Sequence, residues 1–475
     1  MNSVKYFCLI LLIFLTNRSQ AQEVWSLQKC VSYAQENNLT MQQSRLLIEQ
    51  AKLNEQLGKY SRYPSLNASG NFGYQFGRTI DPTTNTFITK GIGGQTINLD
   101  AGVNLYNGGR INNSIKQAKV NREASEADLM QSANDITLLI ATTYLNVLFA
   151  KEQLTASKQR LALTVEQEKQ TQKLISAGAI PANDILDVDA QIARNEQDLV
   201  AQENNLSITL LNLKQLLQLP PDFDLDVEVP SIDWDKNVDI DALKLAGVYE
   251  QAVLTQPFIK AGELRLKSAE MQVDIARADL LPSVVLFGGI DSRYSTRSPE
   301  FSEMETELGG PIPVVINGNP SFLQTLGPVQ TGDVPYFNQI KDNLGQSVGL
   351  NVRVPIYNNY RTKISMEQAR VNIRSTLIQN EQAKQQLKTD IQTAITNAKA
   401  ARKQMDASIK TVNATEAAYE NASKKFSLGA INSFELSSAK NQYDNAQVES
   451  IVAKYDYIFK LKVVDFYRGK QITLN

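Results

Sequence analysis

Residues 94–121, GQTINLDAGVNLYNGGRINNSIKQAKVN, return as residues 345–372, GQSVGLNVRVPIYNNYRTKISMEQARVN, at a fixed offset of 251. Gln95, Leu99, Val103, Tyr106, Asn107, Arg110, Gln117, Ala118 and Asn121 recur identically, and the same offset carries SAGAI (176–180) onto SLGAI (427–431). Further upstream, YPSL (63–66) answers to LPSV (281–284). The chain is therefore a duplication, and each half reads helix, strand, loop, strand, very long helix, tight turn, helix. The long helix restricts the fold most. Arg110 to Ser176 contains neither proline nor glycine, and neither does Arg361 to Leu428. At 1.5 Å per residue such a helix runs roughly 100 Å, more than most globular domains can hold. Within the first, Ile136, Ile140, Thr143, Val147, Ala150, Leu154, Ser157 and Leu161 follow at steps of four and three, a heptad seam with small members. The long helices end at Gly178 and Gly429, and a second helix returns from each turn.

Four stretches alternate with period two, as half-buried strands do: about 65–76, 95–106, 283–294 and 346–357. The connections 77–93 and 295–343 are rich in polar residues, glycine and proline and read as loops. Lys5 precedes the apolar run YFCLILLIFL (6–15), and Ser19 and Ala21 fit a cleavage site, so 1–21 reads as a cleavable signal peptide. Cys8 lies inside that run, which gives no support to a lipid anchor, and Cys30 alone remains, read as a small buried hydrophobe. No other run has the roughly 18 consecutive apolar residues of a spanning helix. Such an exported chain is either soluble or a β-barrel, and barrels are built from alternating segments of about ten residues. Four strands cannot close, and hydrocarbon does not tolerate an open edge, so several chains must share one barrel. Dimers, trimers and tetramers all give permitted strand numbers, and spacing does not choose among them.

The net charge of −2 leaves no basic footprint for nucleic acid. There is no histidine, which removes the commonest general base and metal ligand. The methionines form no soft-metal cluster, and YNGGR lacks the GKS/T of a phosphate loop. The expectation is a protein without catalytic site, metal or cofactor.

SLQKCVSYAQENNLTMQQSRLLIEQAKLNEQLGKYSRYPSL (26–66), LYNGGR (105–110) and AGAIPANDILDVDAQ (177–191), in this order and duplicated, resemble a TolC-family outer membrane efflux protein over essentially the whole mature chain. The resemblance implies a mainly α chain with transmembrane β: a homotrimer whose 12-stranded barrel in the outer membrane continues as an α-helical coiled-coil tunnel through the periplasm. It implies a passive channel working with a periplasmic adaptor and an inner-membrane transporter, in efflux or in type I secretion of unfolded proteins. Leu66, Phe72, Tyr74 and Phe76 are then expected to face outer membrane lipid, and Asn67, Asn71, Gln75, Asn98, Asp100, Asn351 and Arg353 the lumen.

Family members commonly carry acids six and nine positions after the second turn glycine, and these positions hold Glu435 and Ser438, with Asp184 and Asp187 in the first half. Glu435 is the candidate constriction ring, Asp184 the candidate that holds neighbouring hairpins closed, and Asp187 is counted with them among the constriction and gate residues. The family's gate tyrosine and arginine are replaced by Phe426 and Ile431, so apolar contact is expected there instead. The turns Ala177, Gly178, Ala179 and Ile180, and Leu428, Gly429 and Ala430, are the candidate adaptor contacts.

The expected division is a first repeat over 22–219, an acidic linker over 220–240 and a second repeat over 241–475. The linker reads as a solvated face, as charge runs usually do. The competing reading is a soluble periplasmic coiled-coil interaction or adaptor protein, which leaves the alternating strands unexplained.

Overall fold

A computed structural model of the chain describes residues 23–80, 87–89, 91–178, 180–229 and 244–470. The signal segment, Ala179 and residues 230–240 of the acidic run lie outside the described residues. The chain divides into a helical unit, Met1–Leu53, Lys119–Ser268 and Ile373–Asn475, and a sheet unit, Asn54–Ala118 and Ala269–Asn372.

The elements of the first half are β1 (Glu23–Trp25), α1 (Leu27–Asn37), α2 (Leu39–Tyr60), β2 (Ser65–Gln75), β3 (Thr79–Ile80), β4 (Phe87–Ile88), β5 (Ile92–Asn107), α3 (Arg110–Ser176), α4 (Asp184–Leu217) and β6 (Leu225–Val227). The second half has α5 (Leu245–Thr255), α6 (Pro257–Arg277), β7 (Ser283–Ser295), β8 (Pro299–Leu308), β9 (Ile312–Ile316), β10 (Asn319–Leu323), β11 (Leu326–Asp333), α7 (Tyr336–Asp342), β12 (Gly345–Arg353), α8 (Arg361–Ser427) and α9 (Ser433–Tyr467). The long helices α3 and α8 each have 67 residues.

The opening helix of each repeat is broken rather than continuous. Asn38 takes extended backbone (φ −64°, ψ 135°), its side chain accepting from Thr40 N–H at 2.9 Å and donating to the Leu216 carbonyl at 3.0 Å. Gln256, 218 residues later, is extended too (φ −76°, ψ 122°), as a residue before proline tends to be.

In the helical unit the core gathers Ile140, Tyr144, Val147 and Leu148 of α3, Leu213 and Leu217 of α4, Leu387 and Ile391 of α8 and Val464 of α9, all almost fully buried. Trp25 of β1, Cys30 and Ala34 of α1, and Leu225 and Val227 of β6 belong to the same cluster, and β1 and β6 pair in parallel. The Tyr144 hydroxyl donates to the Glu228 carbonyl at 2.7 Å and lies 3.1 Å from the Trp25 carbonyl, so this buried hydroxyl is satisfied. A window of α3 is long and apolar enough to cross a membrane, and half of it is buried in this packing.

The sheet unit is built on one antiparallel sheet in the order β12-β7-β5-β2. Its fourth strand is shorter than the alternation suggests, because pairing stops at Arg353–Ser283 and Pro355 has no N–H to extend the ladder. The junction after β5 turns on Gly108 (φ +65°) and Gly109 (φ +82°), and a Cβ on Gly108 would stand 2.7 Å from the Ala278 carbonyl oxygen. The second repeat makes the same left-handed pair with Asn359 and Tyr360 (φ 54° and 57°). Arg110, opening α3, pairs with Asp279.

The second connection departs most from expectation. It is not a loop: β8 pairs with β11 and β9 with β10, forming a ribbon that reverses at Asn317-Gly318 (φ 53° and 82°), the dihedrals of a type I′ hairpin. Helix α7 then anchors on the sheet through Gln339, whose amide accepts from Ser295 N–H at 2.9 Å and donates to the Ser295 and Val334 carbonyls.

Candidate functional site

Residues opposed across an antiparallel ladder share a face, so register carries one rung across the sheet. Leu66 stands opposite Ala101, Ala101 opposite Gly288 and Gly288 opposite Val348. The next rung runs Asn67, Asp100, Gly289, Ser347. Leu66, Phe72, Tyr74, Ile97, Leu99, Leu286, Ile290, Val348, Leu350 and Val352 thus lie on one face, each more than a third exposed in the single chain. Phe76 lies one residue beyond β2 and is 84% exposed. The opposite face brings together Asn67, Asn71, Gln75, Asn98, Asp100, Asn351 and Arg353, joined by Asp291 and Arg293 of β7, which the sequence reading left out. Phe287 is an apolar exception, with Gly349 on the strand beside it: a Cβ there would stand 2.7 Å from its ring. β2 and β12 are the sheet's edges.

The second candidate region is the pair of helical turns. Gly429 (φ +69°) donates to the Phe426 carbonyl at 2.9 Å and Ala430 to the Lys425 carbonyl at 2.9 Å, the paired bonds of a Schellman cap. Gly178 (φ +71°) donates likewise to the Ile175 carbonyl at 2.9 Å. Ala177, Gly178, Leu428, Gly429 and Ala430 are exposed, while Ile180, Phe426 and Ile431 are half-buried. Ala179 lies outside the described residues.

Asn432 caps α9 by accepting from Glu435 N–H, so Glu435 is an exposed acid in the first turn. Asn183, before α4, makes no side-chain cap bond, and Asp184 and Asp187 supply negative charge to that bare N-terminus. Among the described residues none of these three carboxylates enters an ion pair. Leu428 and Phe434 beside them are 83% and 69% exposed, an apolar contribution to the turn.

Sequence reasoning also missed a buried charge cluster between α3, α4 and α9. Arg160 Nη1 lies 3.5 Å from Asp198 Oδ2 and its Nε 4.0 Å from Asp444 Oδ2, while Lys440 Nζ stands 2.7 Å from the same Asp444 oxygen. Lys440 is only 6% exposed. Partners drawn from three helices leave no local sequence signal, because only the Lys440–Asp444 pair has a helical i,i+4 spacing. Burial pushes the Cys30 thiol up to about 12, so it is a packed hydrophobe rather than a nucleophile. No three of His, Cys, Asp and Glu converge as a metal site among the described residues.

Residues 30–218 and 248–461 match the family model described as Outer membrane efflux protein. The probable outer membrane lipoprotein SilC of Salmonella typhimurium is 23% identical over 87% of this chain and 78% of its own length. The cation efflux system protein CusC of Escherichia coli O157:H7 is 24% identical over 57% of this chain and 56% of that relative, little more than half its length. A CusC crystal structure superposes with a TM-score of 0.71 at 17% identity, over 94% of this chain and 92% of that one. The Campylobacter jejuni CmeC outer membrane channel gives 0.68 at 17% identity, covering 93% and 85%. At these identities the structures speak for the fold alone.

Proposed function

We propose, from the premise that this chain belongs to the outer membrane efflux protein family, that three copies close one barrel of twelve strands and conduct cargo passively across the outer membrane. The observation that carries this reading is the sheet: one continuous apolar face, one polar face and two unpaired edges, β2 and β12. In water such a face is exposed at a cost of roughly 25 cal/mol per Å² of apolar surface. In lipid that cost vanishes, but the edges then need partners. A second copy supplies them, because β2 of one chain can pair with β12 of the next until the barrel closes.

Leu66, Phe72, Tyr74 and Phe76 then meet lipid, and the polar set with Asp100, Asp291, Arg293 and Arg353 lines the lumen. The helical units build the periplasmic conduit, with Glu435 as a ring of carboxylates and Asp184 and Asp187 beside the neighbouring hairpin. Phe426 and Ile431 seal it by apolar contact, and the two glycine turns meet a periplasmic adaptor linked to an inner-membrane transporter. Small molecules, metal cations or unfolded proteins would pass according to that transporter.

The test is planar-bilayer conductance of the purified full-length protein, with its mass measured on the same detergent-extracted sample. Discrete cation-preferring openings from a trimer support the reading. A soluble, silent monomer overturns it in favour of an interaction protein.

A further inference from the structure

The duplication supplies an internal control for one junction of the helical unit. Each returning helix ends on a left-handed residue, Gln218 after α4 (φ 59°) and Gly469 after α9 (φ 79°), at the repeat offset of 251. The same bond closes each turn, from Leu219 N–H to the Lys214 carbonyl at 2.9 Å and from Lys470 N–H to the Asp465 carbonyl at 3.1 Å. In the first repeat the neighbouring helix break is knitted to this end: the Asn38 amide donates to the Leu216 carbonyl at 3.0 Å, and Leu219 packs on the core. The second repeat keeps the backbone and loses both contacts. Gln256, at the matching break, is 4% exposed, yet its side chain makes no hydrogen bond among the described residues. Lys470, in the place of Leu219, is exposed and pairs with Asp465 at 3.3 Å.

A cavity of about 480 Å³ opens at this junction, a size common among small-molecule sites. Gln256 lines it together with three more primary amides, Gln28 and Gln35 of α1 and Asn134 of α3. The side chains of Gln28 and Asn134 are likewise unbonded among the described residues, while Gln35 donates to the Thr137 hydroxyl at 3.2 Å and keeps its carbonyl oxygen for another donor. Met130 and Phe466 give the cavity apolar wall. No described residue of the lining is acidic, and its one cation, Lys470, is already paired.

A primary amide both donates and accepts, and a buried one left without partners is costly. The partner of Gln256 has to reach it through the cavity. A charged ligand finds no spare counter-charge there, whereas hydroxyl groups, which donate and accept in turn, match four amides, and the C–H face of a sugar ring matches Met130 and Phe466. We propose that this cavity binds a neutral saccharide of one or two rings, held by Gln256 and Asn134, in the space that Leu219 and the Asn38 bond close in the other repeat. The site lies wholly within the helical unit and does not depend on the channel reading. A bound sugar ties α1 and α3 of one repeat to the ends of α5 and α9 of the other.

The test is isothermal titration of the full-length protein, in an amine-oxide detergent that itself carries no sugar, with glucose, maltose and N,N′-diacetylchitobiose as probes. At least one probe is expected to saturate one site per chain with a Kd of about 1 mM or tighter, and the failure of all three overturns the proposal. Lys470→Leu, which restores the residue of the first repeat, is expected to abolish that binding. Gln256→Leu and Asn134→Leu are each expected to weaken it at least about tenfold, without lowering the melting midpoint, because neither amide has a bond to lose. Wild-type affinity in all three variants puts the sugar elsewhere and overturns the proposal. So does binding that appears only in a chain ended at Lys470, which would assign the cavity to residues 471–475.

Discussion

The Asn432 side chain accepts a hydrogen bond from the backbone N–H of Glu435 at 2.9 Å, so the residue proposed to ring the pore is fixed in place by the cap of its own helix. Removing the charge and removing the cap are separable. Glu435→Gln is expected to keep the fold and to reduce cation preference, read as a shift of reversal potential under a salt gradient. Asn432→Ala leaves the carboxylate but costs about 1 kcal/mol of helix start, and broadens the distribution of conductances. An unmoved reversal potential in Glu435→Gln removes that residue from the constriction.

Ile431 is half-buried beside the Schellman turn of Gly429, where the family pattern has an arginine. If apolar contact seals the conduit there, Ile431→Asp places a charge in the seal and raises single-channel conductance. A conductance equal to wild type assigns closure to another part of the hairpins.

The apolar face of the sheet gives an assembly prediction. Phe72→Arg, with Phe72 now 71% exposed to water in the single chain, is expected to cost about 2–4 kcal/mol if the side chain reaches the bilayer midplane. Asn98→Arg, on the opposite face, leaves assembly intact. Trimer yield in outer membrane fractions measures both, and equal yields contradict the assignment of faces.

Cys30 makes stability depend on alkaline pH. Its thiol titrates near 9.0 when unfolded and at about 12 when folded, because burial disfavours the thiolate. A raised folded pKa means that the stabilising contribution is whole below pH 9.0 and is lost as pH rises toward about 12. The loss is about 1.4 kcal/mol per pH unit for one proton, and burial pushes the Tyr144 hydroxyl in the same direction. Urea melts between pH 8 and 11 should therefore show a steep decline in wild type and a shallower one in Cys30→Ala.

The long helices were legible because 67 residues without a breaker permit little else, and the sheet's two faces because alternation is clear in β2, β5 and β12, although β7 blurs it at Val285 and Phe287. Local pattern did not reveal features made by distant partners. Arg160 looks like an ordinary surface arginine until Asp198 and Asp444 arrive from other helices. The ribbon of β8 to β11 was hidden because proline and glycine dominated the reading, although Asn317-Gly318 is a strong short-range hairpin signal. The breaks at Asn38 and Gln256 were quieter, one depending on a carbonyl of a different helix that accepts from the Asn38 amide and the other on the proline that opens the next helix.

The ribbon also explains a mismatch in the duplication. Its two halves keep a spacing of 218 residues before the ribbon, from Asn38 to Gln256, and 251 after it, from Asn107 to Asn358. All the length by which the copies diverged was absorbed between β7 and β12, leaving strands and helices undisturbed on either side. The tip at Asn317-Gly318 is thus a natural grafting point, where a foreign segment could be inserted without shifting the strands and helices on either side.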